Sequence, residues 1–149
     1  MRIALYQPDI AGNVGTILRT ATCLGVQVDI IEPCGFPFSD RGLKRAGMDY
    51  AATADVTRHA DWAAFRESRT ARLILLTVSG GTPLPDARFA TDDILLMGSE
   101  SAGVPEHVHD AAGLRVRIPM RQGFRSLNVA IATGIALGEA IRQTGGWPE

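Results

Sequence analysis

Residues 94–105 read Ile94-Leu95-Leu96-Met97-Gly98-Ser99-Glu100-Ser101-Ala102-Gly103-Val104-Pro105, and this stretch decides the fold class. Four apolar residues in a row leave no polar face for water, so the strand they form is covered on both sides. The run stops at Gly98, passes through a loop of small residues, and reaches Pro105, a residue suited to the first turn of a helix. Strand, tight loop and helix form the repeating unit of a parallel α/β sheet.

The same unit recurs outward from this stretch. Residues 72–79 are a second buried strand, with Leu73-Ile74-Leu75-Leu76-Thr77-Val78 at its centre, and Gly80-Gly81-Thr82-Pro83 opens a loop through residue 86. Residues 2–7 and 26–31 read as further strands, ended by Pro8 and by Glu32-Pro33. Between them, Val14, Ile17, Leu18, Ala21 and Leu24 recur at helical spacing, with Asn13 as the expected N-cap and Gly25 as the expected C′ residue. Residues 39–46 predict a short helix with a basic face of Arg41, Lys44 and Arg45, and residues 59–68 a helix capped by Asp61. Residues 105–112 predict a short helix and 116–120 a strand. Residues 127–143 predict a last helix, capped by Ser126 and stopped by Gly145. The expectation is one α/β domain over residues 1–149, a mostly parallel sheet with helices on both faces. In such sheets ligands bind beyond the carboxyl ends of the strands.

The bulk properties exclude several classes. Hydrophobic residues make up 46% and charged residues 21% of 149 residues, an ordinary globular composition. The net charge is −1, so any nucleic-acid contact has to come from a local basic patch. The two cysteines, Cys23 and Cys34, lack a metal-ligand spacing, and Cys23 falls in an apolar helical pattern that predicts burial. The start, MRIALYQPDI, reads as a strand and not as a signal peptide. The apolar run 127–138 is shorter than the ~20 residues that cross a bilayer. A cytoplasmic location, away from membranes, is the expectation.

Three segments carry candidate chemistry, and each has a plain structural reading beside the functional one. Gly12-Asn13-Val14-Gly15 with Arg19 lies at a strand-to-helix turn, and Arg19 is either a surface arginine or a phosphate clamp. Gly98–Pro105 is either a tight turn or a loop offering main-chain N–H groups to a ligand. Ser101 makes only half of a nucleophile elbow, because Ser99 stands where a glycine is needed. His59, His107 and His109 read as solvated. Arg121 and Arg125 flank a Gln-Gly-Phe turn, either a solvated loop or an RNA-contact loop. The last helix is apolar nearly all round, which predicts packing on the core and on a partner subunit.

Taken together, these segments resemble the motifs of the SPOUT class of RNA 2′-O-methyltransferases, in the same order. The first, Asn-x-Gly-x-x-x-Arg, is matched by Asn13, Gly15 and Arg19. The second, Gly-x-Glu-x-x-Gly-x-Pro, is matched by Gly98, Glu100, Gly103 and Pro105. The third is matched by Ile118-Pro119-Met120 and Ser126-Leu127-Asn128. The short length, together with Ile31-Glu32-Pro33, residues 45–50 and Val56-Thr57-Arg58-His59, resembles the minimal TrmL-type subgroup, which methylates the wobble ribose of tRNA.

The resemblance implies a trefoil knot in the C-terminal half, which neither composition nor periodicity reveals and which the rule against threaded loops would have argued against. It implies S-adenosylmethionine as methyl donor, S-adenosylhomocysteine as product, and no metal. The donor's shell is implied to include Leu76, Thr77, Gly98, Glu100, Ile118, Met120, Ser126 and Leu127. The reaction implied is methyl transfer to the ribose 2′-hydroxyl of tRNA position 34, a cytidine or modified uridine. The family gives Arg19 the key role. A free guanidinium stays protonated at any physiological pH and is a poor base, so Arg19 is read as a clamp on the ribose–phosphate. Asn13, Glu100 and Asn128 are read as its positioners. The resemblance further implies a homodimer with the active site at the subunit interface, and RNA contacts from Arg41, Lys44, Arg45, Arg121 and Arg125. A methyltransferase acting on another tRNA or rRNA position, a non-catalytic RNA-binding module and a serine hydrolase built on Ser101 remain the rivals.

Overall fold

The computed structural model describes residues 1–39, 41 and 52–149. Among these are strands β1 (Arg2–Tyr6), β2 (Gln27–Ile31), β3 (Val56–His59), β4 (Leu73–Leu76), β5 (Thr82–Pro83), β6 (Ile94–Met97) and β7 (Leu114–Arg117), and helices α1 (Ala11–Cys23) after β1, α2 (Trp62–Ser68) after β3, α3 (Glu106–Asp110) after β6 and α4 (Val129–Thr144) after β7. The strands form one sheet in the order β3-β2-β1-β6-β4-β7-β5. Every neighbouring pair is parallel. The expected α/β architecture is therefore present.

The uninterrupted apolar run of β6 is explained by its two faces. Leu95 and Met97 join Ile3, Leu5, Ile74 and Val116 beneath α1 and α4, which contribute Val14, Ile17, Leu18, Leu137 and Ile141. Ile94 and Leu96 point the other way, to Ala4, Leu73 and Leu75, and are covered by Phe65 of α2 and Val108 of α3. Each fully buried Leu or Ile side chain contributes about 1.5–3 kcal/mol to this double core. Strand β6 lies between β1 and β4, with Leu5 and Leu76 both in register with Met97. The loop after Met97 therefore opens at the middle of the sheet.

Several sequence expectations are corrected. Helix α1 is capped three residues earlier than expected, by Ile10 and with no side-chain cap, so Asn13 lies inside its first turn. Gly25 takes the positive φ of 67° expected of a C′ residue. Cys23 is exposed, because it lies on the outer face of α1. Helix α4 is capped by Asn128, whose side chain accepts from the N–H groups of Ala130 and Ile131. Ser126 is not its cap. Strand β7 starts and ends earlier than expected, leaving Pro119 outside the ladder, where its missing N–H costs nothing. Residues 56–59 form strand β3, with His59 in the strand and not in the expected helix; Val-Thr-Arg-His lacks an apolar run, and in the sheet it is an edge strand with only His59 buried. Asp61 does cap the helix that follows. The loop at 80–86 contains β5 and a 3-10 turn, Leu84–Asp86.

His59 is not solvated. It is 6% exposed, and its Nε2 lies 2.7 Å from Oδ1 of the fully buried Asp29. The expected helix at 39–46, with Lys44 and Arg45, lies outside the described residues apart from 39 and 41. No helix among the described residues is long and apolar enough to cross a membrane.

Candidate active site

A cavity of ≈ 600 Å³ opens at the carboxyl ends of β4, β6 and β7, the position expected for a ligand site in a parallel sheet. Its volume is that of a small-molecule site. Three loops wall it. The first contributes Leu76, Thr77 and Val78; the second Gly98, Ser99, Glu100, Gly103 and Val104; the third Ile118, Met120, Arg125, Ser126 and Leu127. Asn13 and Asn128 also line it. All eight residues assigned above to the donor shell therefore surround one cavity, together with three of the four residues given catalytic or positioning roles.

The shape of the middle loop follows from its two glycines. The N–H of Ser99 donates to the carbonyl of Gly103 at 3.0 Å, and the N–H of Gly103 returns to Ser99 at 2.9 Å. This closed turn brings Gly98 so near Gly103 that a Cβ on Gly98 would lie 2.7 Å from the Gly103 backbone. Gly103 itself has a φ of 66°, where a side chain is strained. The turn projects Glu100 toward helix α1.

Glu100 is held from both sides. Its Oε1 accepts from Nδ2 of Asn13 at 3.1 Å, and its Oε2 accepts from the N–H of Asp9 at 2.8 Å. Asn13 in turn accepts from Nδ2 of Asn128 at 2.9 Å. Asp9 completes the set: its carboxylate accepts from both the N–H and the hydroxyl of Ser101. Those two hydrogen bonds, the hydroxyl first, hold the Asp9 carboxyl below its usual range. One polar network thus ties the start of α1, the middle loop and the start of α4 around the cavity mouth.

Arg19 stands apart. It is exposed on α1 and is absent from the residues that line the cavity. Six residues along a helix turn a side chain by about 240°, so Arg19 and Asn13 point about 120° apart. The outer face it shares carries Gly12, Thr16 and Cys23. On the neighbouring helix α4, Ile131 and Ile135 are 55% and 43% exposed.

The lining suits the donor implied by the motifs. Apolar side chains such as Leu76, Ile118 and Leu127 match a flat heterocycle, while Glu100 and Arg125 set one negative and one positive charge on the wall. S-adenosylmethionine likewise carries charge of both signs, on its cationic sulfonium and ammonium groups and its anionic carboxylate. Among the described residues, no group of three or more His, Cys, Asp or Glu is placed to hold a metal ion.

The profile of the SpoU rRNA Methylase family matches residues 1–138. The chain belongs to that family. A protein of Ancylobacter novellus named tRNA (cytidine(34)-2′-O)-methyltransferase is 51% identical over 150 residues, covering 99% of this chain and 95% of that protein. A solved structure described as giving insights into the 2-OH methylation of C/U34 on tRNA superposes with a TM-score of 0.89 at 44% identity, covering 95% of this chain and 94% of that one. An AdoMet-bound rRNA methyltransferase from Sinorhizobium meliloti has a TM-score of 0.84 at 32% identity, covering 95% of this chain but 55% of that one.

Within this SpoU-family chain, sequence reasoning missed Asp9 and the role of Ser101. The available signal was Asp9 itself, an acid just ahead of the first motif, but only the folded chain brings it to the serine 92 residues away. Of the expected RNA contacts, Arg125 lines the cavity and Arg121 is exposed on the same loop. Arg41 is exposed, and Lys44 and Arg45 lie outside the described residues.

Proposed function

We propose that this chain transfers a methyl group from S-adenosylmethionine to the ribose 2′-hydroxyl of nucleotide 34 of a tRNA, a cytidine or uridine. The observation that carries the reading is the cavity itself: residues from all three motifs meet there, and Glu100, Asn13 and Asn128 are hydrogen-bonded in series at its mouth. The choice of tRNA position rests on the near full-length relatives described above.

The donor supplies a methyl group already activated on a sulfonium. The protein's part is therefore positioning and charge stabilisation. The loops at 76–78, 98–104 and 118–127 hold the donor by main chain and apolar contact. Glu100 serves as scaffold, since each of its carboxylate oxygens already accepts a hydrogen bond from the protein. Arg19 orients the ribose–phosphate and stabilises the negative charge that develops on the 2′-oxygen.

Arg19 acts on a partner's cavity. Its direction, away from its own, supports this reading. So do the exposed isoleucines of the neighbouring helix α4, which a second copy would cover. In this homodimer the RNA rests on Arg121 and Arg125, joined by Arg41, Lys44 and Arg45. The three cavity loops are the loops of a C-terminal trefoil knot. The non-sequential order β1-β6-β4-β7 is consistent with such threading. Cytoplasmic tRNA is the substrate pool.

Two measurements test the reading. Calorimetry with S-adenosylhomocysteine should show one site per chain; no binding would sink it. Mapping the methylated nucleotide after incubation with donor and total tRNA should place it at position 34. Methylation elsewhere would shift the assignment to another RNA position, and donor binding without methylation of tRNA or rRNA would indicate a non-catalytic RNA-binding module.

A further inference from the structure

The third cavity loop carries a feature that donor binding leaves unused. Phe124 is 71% exposed, more than any other large apolar side chain among the described residues. Its neighbours Arg125 and Ser126 line the cavity, but Phe124 does not. A turn sets it there: the N–H of Phe124 reaches back to the carbonyl of Arg121 at 3.4 Å, and Gly123 has a φ of 95°. The ring is thus exposed and outside the cavity lining, with Arg121 and Arg125 on either side of it along the chain.

The local charge identifies what the ring meets. Between Asp110 and Glu139 the chain has no acidic residue and four arginines, Arg115, Arg117, Arg121 and Arg125, although its net charge is −1. A nucleotide within a single strand presents a flat base between two phosphates. The Arg121–Arg125 loop presents an exposed flat ring flanked along the chain by two cations, the complementary arrangement. A second copy of the chain fits less well at the tip of this loop, because a two-fold axis passing there would set these arginines against their own mates. The exposed isoleucines available for a partner subunit lie instead on helix α4.

We propose that Phe124 is a stacking platform for an unpaired RNA base adjoining the methylated ribose. The stack fixes the strand so that the 2′-hydroxyl of the neighbouring ribose faces the cavity. This rests on the reading of the cavity as a methyl-transfer site. It adds a specificity-determining contact: a ribose whose neighbouring base remains paired in a helix offers no free face to Phe124, so unpaired loops are selected over duplex.

The test compares F124L, which keeps apolar bulk without a ring, with F124W, which keeps the ring. The substrate is an anticodon stem-loop RNA methylated by the wild-type protein. F124L should raise the KM for RNA by about tenfold or more with little change in kcat. It should bind S-adenosylhomocysteine as the wild type does and keep the same solution mass. F124W should restore the KM, and its added tryptophan fluorescence should be quenched by the stem-loop but not by the same RNA made abasic beside the target. An unchanged KM in F124L, or a changed solution mass, would overturn the stacking role alone. Failure of the wild-type protein to methylate any RNA would overturn the underlying reading.

Discussion

Asn13 and Asn128 are joined side chain to side chain: Nδ2 of Asn128 donates to Oδ1 of Asn13 at 2.9 Å, across 115 residues of chain. Each has a second duty. Asn13 holds Glu100, and Asn128 caps α4 through its Oδ1. The pair therefore couples the geometry of the middle loop to the start of the last helix. Asn128→Ala should cost about 1 kcal/mol of stability through the lost cap. It should also weaken donor binding through the released Asn13. A double-mutant cycle with Asn13→Ala, read by donor affinity, should show a coupling of more than about 0.5 kcal/mol. Simple additivity would mean that the two residues act independently.

Gly98 tests the middle loop without touching its polar groups. A Cβ there would lie 2.7 Å from the backbone of Gly103, a contact that no rotamer change relieves. Gly98→Ala should open the Ser99–Gly103 turn and displace Glu100. The expected result is at least a tenfold loss of affinity for S-adenosylhomocysteine, about 1.4 kcal/mol, with far-UV circular dichroism unchanged. Donor affinity equal to wild type would show that the loop tolerates the clash.

Much of this was legible because it is local. The apolar run Ile94–Met97 announces a doubly covered strand, and the spacing of Val14, Ile17, Leu18 and Ala21 announces the buried face of α1. The motif residues could be chosen from the chain alone, and the cavity gathers them. What was not legible depends on pairing in space. Asn13 looked like a cap because Asn favours that position, but its partner Glu100 lies 87 residues away. Strand β3 was missed because its pairing with β2, not its own apolarity, makes it a strand. His59 looked solvated because nothing in its neighbourhood of sequence shows Asp29 waiting 30 residues earlier. The direction of Arg19, about 120° round the helix from Asn13, matters only once the cavity has been located.

Arg19 yields a prediction that a conventional loss-of-function variant cannot. Arg19→Ala should abolish methylation while leaving affinity for S-adenosylhomocysteine within about twofold of wild type, because Arg19 does not line the cavity. If Arg19 serves the partner's cavity, mixing inactive Arg19→Ala protein with Gly98→Ala protein, at a donor concentration too low to load the Gly98→Ala cavity, should restore activity. The heterodimer then holds one cavity with an intact loop facing an intact arginine. No recovery after subunit exchange, verified by native mass spectrometry, would place Arg19 and its cavity on the same chain.

The far face of the sheet carries a pH-dependent element of stability, centred on Asp29. This carboxylate is fully buried and accepts from Arg2 at 2.7 Å, from Arg69 at 3.2 Å and from the His59 ring at 2.7 Å. Burial, the largest single influence, pushes its pKa up. The hydrogen bonds from Arg2, His59 and Arg69 and the charge of Arg2 together outweigh it, and the carboxyl ends below its ordinary value of 3.8. A group whose pKa is lowered by folding stabilises the native state above its unfolded pKa, and that stability is lost as pH falls through the folded value. Asp29 therefore contributes fully at neutral pH and progressively less as the pH drops below about 3.8. Asp29→Asn leaves two partly buried arginines facing a buried neutral amide. It should cost about 3–5 kcal/mol at neutral pH, the range for breaking a buried ion pair. In urea titrations across the acid range the variant should lose less stability per pH unit below 3.8 than the wild type does. Parallel curves would mean that the Asp29 cluster is not what titrates.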